Sequence, residues 1–212
     1  MKRIANIVRE LIAIIPYSAI AVRAYKLFSP LLEVSIGSAV QMVGGVYVGP
    51  NVHIGDNVKI FRKACIIGGK GKTTIERDSF IGANVFVDGA DDVSIGRHVA
   101  IAPAVQIFTH DSVAHWMSAG VAPIATGKIS IGDNSYIGVG AIILKSVAIG
   151  KNSVVAAGAV VSASVPGGCV VIGSPAKVHL RTKDMLARQG VELVSAAHSD
   201  FKENAPKDCD EN

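Results

Sequence analysis

Residues 131–166 divide into six consecutive blocks of six: IGDNSY, IGVGAI, ILKSVA, IGKNSV, VAAGAV and VSASVP. Every block opens with a β-branched apolar residue, at Ile131, Ile137, Ile143, Ile149, Val155 and Val161, and four of the six openers are followed directly by Gly or Ala. A period of six fits neither the 3.6 of a helix nor the two-residue alternation of a hairpin sheet. It predicts an all-β chain, a parallel β-helix in which each block is a short strand plus a turn. Three blocks close one triangular coil, and the openers point inward and stack coil on coil. Gly, Asn and Asp fill the turns because they tolerate positive φ.

The same phase is present earlier, at Ile36, Met42, Val48, Ile54 and Ile60. It slips at CIIGGKGKTT, restarts at Ile75, Ile81 and Val87, slips again at DGADDVS and resumes at Ile95, Ile101 and Ile107. Taken in threes, the openers give about six coils, a prism roughly 29 Å tall at about 4.8 Å per coil. The glycine-rich GGKGK at 68–72 lacks the full phosphate-loop spacing and falls at a block corner, so it reads as a turn. After Ile107 the period stops for residues 108–128, FTHDSVAHWMSAGVAPIATGK. A solenoid that expels a loop this long from mid-core generally uses it, and the loop carries the only Trp, Trp116, together with His110, Asp111 and His115. Catalysis is sought there. The expected organisation is an N-terminal helical segment at 1–34, the β-helix at 35–178 with its excursion at 108–128, and a C-terminal piece at 179–212. That last piece reads as a short polar helix near 181–197 and a disordered tail, DFKENAPKDCDEN.

Residues 4–28 are apolar and helical in pattern, broken at Pro16. The uncharged run from Leu11 to Val22 is 12 residues, short for a bilayer span. Arg9 and Glu10 interrupt what would be the apolar stretch of a signal peptide. The segment reads as a cap over the first coil. The alternative is peripheral membrane contact through residues 1–28, because Lys2, Arg3, Arg9, Arg23 and Lys26 flank its apolar residues. Aromatics are only 5% of the chain, and the net charge of +4 contains no dense basic run, so nucleic acid is not an expected partner. Cys65, Cys169 and Cys209 are scattered and form no CxxC, which argues against a disulfide framework or a thiolate zinc site and for a cytoplasmic setting.

With the blocks, the His-bearing loop, SYIGVGAIILKSV and the ending VVIGSPAKV in view, the chain resembles the hexapeptide-repeat acyltransferases over roughly residues 36–181. It is similar to the sugar O-acetyltransferases, which include the maltose and galactoside enzymes. Thr109, His110 and Asp111 resemble the branch that acetylates lipopolysaccharide or capsule sugars. The resemblance implies a left-handed β-helix, against the usual right-handed preference for parallel crossovers. It also implies a homotrimer with active sites between subunits, acetyl-CoA as co-substrate and no metal.

By the same resemblance, His110 is the base that takes the proton of an acceptor hydroxyl, a task for a group titrating near neutrality. Its far nitrogen needs an acceptor, for which Asp111, Asp88 or a backbone carbonyl are candidates. The amide of Val139 in IGVG matches the oxyanion donor. Gly138 and Gly140 allow close approach of a thioester arm, or are ordinary turn glycines. The pantetheine arm is expected along Ala157, Gly158, Ser162 and Ala163. The family often carries Thr-Lys at the last pair, so a phosphate-facing cation is missing here. Lys177 and Arg181 are candidates for the CoA phosphates, and Tyr136 for packing on the arm. Asn84 and Asp88 are expected near the acceptor sugar, with His115 and Trp116 bordering it.

Three rival readings stay open. An amino-sugar N-acetyltransferase needs less from a base if its amine arrives neutral. A γ-class carbonic anhydrase shares the architecture, and His110 and His115 have its H-x4-H spacing. A third histidine is needed to hold zinc, yet none occurs between His53 and His98. A non-enzymatic β-helix scaffold is the third.

Overall fold

The structure is a computed structural model that describes residues 2–13 and 18–191. The expected break at Pro16 and the expected tail lie outside the described residues. Three helices come first: α1 (Lys2–Ala13), α2 (Ser18–Leu27) and α3 (Ser29–Leu32). The first coil is β1 (Val34–Ile36), β2 (Gln41–Met42) and β3 (Tyr47–Val48). The second is β4 (Val52–Ile54), β5 (Lys59–Ile60) and β6 (Cys65–Ile66). The third is β7 (Thr73–Ile75), β8 (Phe80–Ile81) and β9 (Phe86–Asp88), and the fourth is β10 (Val93–Ile95), β11 (Ala100–Ile101) and β12 (Gln106–Phe108). The chain then leaves the prism for β13 (His110–Asp111), α4 (Val113–Met117) and β14 (Ala125–Thr126). It returns as β15 (Ile129–Ile131), β16 (Tyr136–Ile137) and β17 (Ile142–Ile143), followed by β18 (Ala148–Ile149), β19 (Val154–Val155) and β20 (Val160–Val161). A bridge between Ile149 and Val165 starts a seventh coil, which β21 (Cys169–Ile172) continues. β22 (Lys177–Arg181) folds back antiparallel on β21 and leads into α5 (Thr182–Arg188). The C-terminal helix is therefore shorter than its polar pattern suggested, ending at Arg188, and residues 192–197 lie outside the described residues.

Equivalent strands of successive coils stack in parallel to form three faces. Register joins opener to opener: on the first face Ile36, Ile54, Ile75, Ile95, Ile131 and Ile149 form one column. The openers from Met42 to Val161 are buried, as is Ile66, which the phase count passed over. A second inward column lies two residues before each opener and includes Val52, Val85, Val99 and Ala141. Where that column is polar, the hydroxyl satisfies backbone at a corner. Ser79 Oγ donates to Gly96 O at 2.8 Å and accepts from Val99 N at 3.1 Å. Coils also need small residues where corners abut. A Cβ on Gly138 would stand 2.5 Å from Ala157 N of the next coil.

All three irregularities of the phase fall at the corner between the third and first faces. The slip after β6, the slip after β9 and the excursion after β12 occupy that corner in successive coils. They bond to one another, with Gly71 N donating to Gly89 O at 3.1 Å and Asp91 N donating to Thr109 Oγ1 at 3.0 Å. Insertions here leave the strand registers untouched, and they thicken one edge of the prism.

The helices close the bottom of the first coil. Tyr25 and Leu32 are fully buried, and Val48 N donates to the Tyr25 hydroxyl at 3.0 Å. Arg9 corrects its sequence reading as a surface cation. It is buried, donates to Asn6 Oδ1 at 2.9 Å and to Leu32 O, and faces the prism together with Ala5 and Ile12. Among the described residues no helix is long and apolar enough to cross a membrane.

Burial pushes the Tyr25 phenol up to about 12 from its ordinary 10.0, against the pull of the Val48 N–H. A raised folded-state value means that the neutral phenol stabilises the fold fully below pH 10.0 and loses that contribution as pH climbs toward about 12. Tyr25→Phe removes the partner of Val48 N and is expected to destabilise by about 1–3 kcal/mol at neutral pH in urea unfolding. The gap between wild type and Tyr25→Phe should narrow above pH 10.0, and a gap that widens there contradicts the assignment.

Candidate active site

The excursion begins with a locked residue. Thr109 is buried, its N–H donates to Asp88 Oδ2 at 3.3 Å, and its hydroxyl donates to Asp88 O at 2.9 Å. Gly127 N donates to Thr109 O at 2.8 Å, and His110 pairs with Thr126 across β13 and β14, so the neck of the loop is closed. This fixes His110 one coil above Asp88. His110 Nδ1 lies 2.6 Å from Asp88 Oδ2, with the carboxylate mostly buried and the imidazole about one-third exposed. A carboxylate acceptor calls for the proton on Nδ1, which leaves Nε2 with a free lone pair.

His110 opens onto a cleft of about 530 Å³ bordered also by Asp111, Val113, Leu144, Lys145 and Ser162. A larger cleft of about 730 Å³ lies between α2–α3 and the first face, lined by Lys26, His53, Lys70, Lys72 and Asp92. No carboxylate is hydrogen-bonded to His53 among the described residues, so the larger space lacks an oriented base.

The other candidates divide between two edges of the third face. Val139, Gly140, Ala157 and Gly158 sit at its leading corner. Gly140 (φ 66°) donates to Pro103 O at 3.0 Å, and Gly158 N donates to Val139 O at 2.8 Å. The N–H of Val139 itself makes no hydrogen bond among the described residues, and the residue is half exposed. Lys177, exposed at the start of β22, lies beside this corner, since Ala176 N donates to Val160 O at 2.8 Å. Ser162 and Ala163 stand at the trailing edge instead, above Leu144 and Lys145, on the side of His110. Within one chain the two edges are separated by the length of β17 and its flanks, roughly 16 Å at strand rise. Tyr136 is half exposed on the second face between Ala100 and Val154.

Of the candidates for the group that holds His110 Nδ1, the one in contact is Asp88. Asp111 Oδ1 instead accepts the N–H of Val113 at 2.8 Å and shapes the turn into α4. Neighbouring residues of a strand point to opposite sides, which takes Asp111 away from the ring it follows. Asp88 Oδ2 is shared between His110 and Thr109. Asn84 occupies the left-handed corner position (φ 57°) that Ala104, Gly140 and Gly158 share in other coils, across the third face from Asp88. Arg181 Nε donates to Asp184 Oδ2 at 3.1 Å, so that carboxylate competes for any phosphate contact. His115 Nδ1 meets Ala122 O at 2.7 Å and its ring stands edge-on to Trp116 at 5.8 Å, a contact within the loop. His110 and His115 turn to different partners, and among the described residues no three His, Cys, Asp or Glu groups gather as a metal site. Sequence reasoning missed Lys145. It stands two residues after opener Ile143, at the third-face corner where the other coils carry Pro50, Gly68, Gly89, Thr109 and Ala163.

If Asp88 sets the tautomer, nitrogen-15 NMR of His110 at neutral-to-alkaline pH should report Nδ1–H. Asp88→Ala should shift it toward the Nε2–H form that free imidazole prefers. A spectrum unchanged by the substitution contradicts the pairing.

The family described as hexapeptide repeat of succinyl-transferase matches residues 72–102 and 128–163. No curated protein matches the sequence. Among solved structures, a variant of an N-acyltransferase from Bacillus cereus in complex with dTDP and coenzyme A aligns with a TM-score of 0.65 at 21% identity, over 78% of this chain and 93% of its own. A maltose O-acetyltransferase from Clostridium difficile 630 aligns at 0.52 and 22% identity, over 84% of each chain. A hexapeptide-repeat-containing acetyltransferase from Vibrio cholerae aligns at 0.61 and 25% identity, over 85% of this chain and 89% of its own. Stacked six-residue blocks, three parallel faces and these matches together give the chain the left-handed parallel β-helix fold of the hexapeptide-repeat acyltransferases.

Proposed function

We propose that the chain is an acetyltransferase that moves the acetyl group of acetyl-CoA to a sugar hydroxyl, with His110 as general base. The observation that carries this reading is the 2.6 Å contact between His110 Nδ1 and Asp88 at the mouth of a cleft. An alcohol is a poor nucleophile near neutral pH and needs a base held in one tautomer. Asp88 holds Nδ1–H, so Nε2 accepts the hydroxyl proton and the imidazolium formed is stabilised by the carboxylate. The co-substrate supplies an activated thioester carbonyl, and the unengaged amide of Val139 is the donor for its developing negative charge. Collapse of the tetrahedral intermediate breaks the C–S bond, and the coenzyme A thiolate leaves with the proton held by His110. Gly140, Ala157 and Gly158 offer a corner without bulk for the pantetheine arm, and Lys177 a cation for its phosphates. The neighbours in complex with coenzyme A support this choice of co-substrate.

His110 and Val139 stand at opposite edges of the third face, so on this reading each site is completed by a neighbouring copy, in a homotrimer. The excursion offers an apolar surface for such a contact, with Trp116 76% and Met117 84% exposed in the single chain. The acceptor class is a nucleotide sugar or surface polysaccharide, as in lipopolysaccharide or capsule synthesis. One observation favours a second reading: the N-acyltransferase neighbour crystallised with dTDP-4-amino-4,6-dideoxyglucose points to an amino-sugar acceptor. A thiol-release assay against free sugars, nucleotide sugars, amino sugars and polysaccharides separates the two.

His110→Ala is expected to lower acetyl transfer by about 100-fold or more while leaving CoA binding nearly intact. Retained turnover removes His110 from its role. Val139→Pro deletes the proposed oxyanion donor, and the corner accepts the ring, since Pro103 holds the equivalent place one coil below. Each variant alone should be nearly inactive. Mixed assemblies of His110→Ala with Val139→Pro should regain a measurable share of activity, because some interfaces then pair an intact His110 with an intact Val139. Absence of recovery in verified mixed trimers counts against a shared site.

A further inference from the structure

The prism accounts for one side of the N-terminal helices, and among the described residues nothing covers the other side. On α1, Ala5, Arg9 and Ile12 face the protein. Ile4, Ile7 and Leu11, spaced i, i+3, i+7, form a stripe on the opposite side that is 59%, 52% and 57% exposed. Helix α2, packed against α1, adds Ile20 and Leu27, 53% and 75% exposed. Arg3 and Arg23 are exposed on the same two helices, whereas Lys26 lines the cleft beside the first face. We propose that this basic and apolar surface docks on the face of an anionic lipid bilayer, with α1 lying in the interfacial plane.

Charge decides among the possible occupants. Between residues 2 and 33 the chain has five cations (Lys2, Arg3, Arg9, Arg23, Lys26) and two carboxylates (Glu10, Glu33), and one of the five, Arg9, is buried. A second copy meeting this surface about a two-fold axis would bring the basic patch that holds Arg3 and Arg23 against the same patch of its partner. An anionic bilayer complements both components at once. Its headgroups draw the basic side chains, and its acyl boundary takes up the isoleucines and leucines. The contact is peripheral, since no described helix is long enough to cross. The proposal stands apart from the acetyltransferase reading, because the surface uses no residue of the His110 cleft.

The test is co-sedimentation of the full chain with phosphatidylcholine vesicles, with and without about one-third phosphatidylserine. The expected result is at least about tenfold more protein on the anionic vesicles, falling as salt shortens the Debye length. Ile7→Glu with Leu11→Glu should abolish sedimentation while the circular dichroism spectrum and any acetyl-CoA-induced thermal shift persist. Should that double variant misfold, Arg3→Glu with Arg23→Glu leaves the apolar stripe intact and should still remove the preference for anionic vesicles. Failure to sediment, equal binding to neutral vesicles, or binding that survives the substitutions overturns the proposal. A change of assembly mass in Ile7→Glu with Leu11→Glu, without any vesicle binding by wild type, overturns it too and assigns the stripe to a protein contact.

Discussion

Inward side chains stacked in register, about 4.8 Å apart, are the constraint on which everything else in this protein depends. Each opener sits on its counterpart one coil away, and the strands that carry the openers are only two or three residues long. Strands so short have little stability alone. They are held by hydrogen bonds to the coils above and below and by a continuous column of Ile and Val. The six-residue phase therefore sets where each residue lies, both around the prism and along it. Additional chain must leave at a corner, because an extra residue inside a strand would turn the whole inward set outward.

That geometry explains how the candidate dyad is made. Asp88 ends β9 and His110 follows β12, so they come from adjacent coils at the same corner. Coil spacing alone brings them to within a side chain's reach. The short insertion after β9 and Thr109 then fix the remaining degrees of freedom, since Thr109 bonds both Asp88 and the backbone of Asp91. A dyad built this way rests on the stacked backbone, although His110 stands at the root of a loop. Lower on the same edge, Lys128 pairs with Asp92 at 2.7 Å, and the lysine holds that exposed carboxyl below its usual range.

The coils were legible in the sequence because a period of six repeats often enough to outweigh local ambiguity. The corner geometry was not, for a reason particular to solenoids. Which residue of one coil meets which residue of the next depends on how a slip of uncertain length is accommodated. DGADD contains three aspartates, and only the register of β9 on β12 selects Asp88 for His110. Asp111 was attractive because it is adjacent in sequence, but strand alternation makes adjacency a poor guide to contact. Arg9 misled for the complementary reason. Its charge suggests the surface, yet its spacing from Ala5 and Ile12 places it on the inward face of a helix, where a carbonyl and Asn6 receive it. Lys145 carries no motif and becomes notable only once Ser162 and His110 are seen to line the same cleft.

A stacked prism also limits how a ligand can be enclosed. Its faces are flat, its interior is filled, and it has no hinge between lobes, so it cannot close around a substrate by domain motion. Concavity must come from something projecting beyond a face, or from a second prism alongside. The excursion after β12 supplies the first and leaves exposed apolar groups that a neighbouring prism would cover. On the proposed reading, dividing the base and the oxyanion donor between two edges of one face follows from the same limit. Two rigid edges from different copies define a narrow trough whose width is set by prism packing. Such a trough can hold an extended pantetheine arm along the stacking direction while a sugar enters from the open side. Catalytic spacing would then depend on the assembly contact as strictly as the dyad depends on coil stacking.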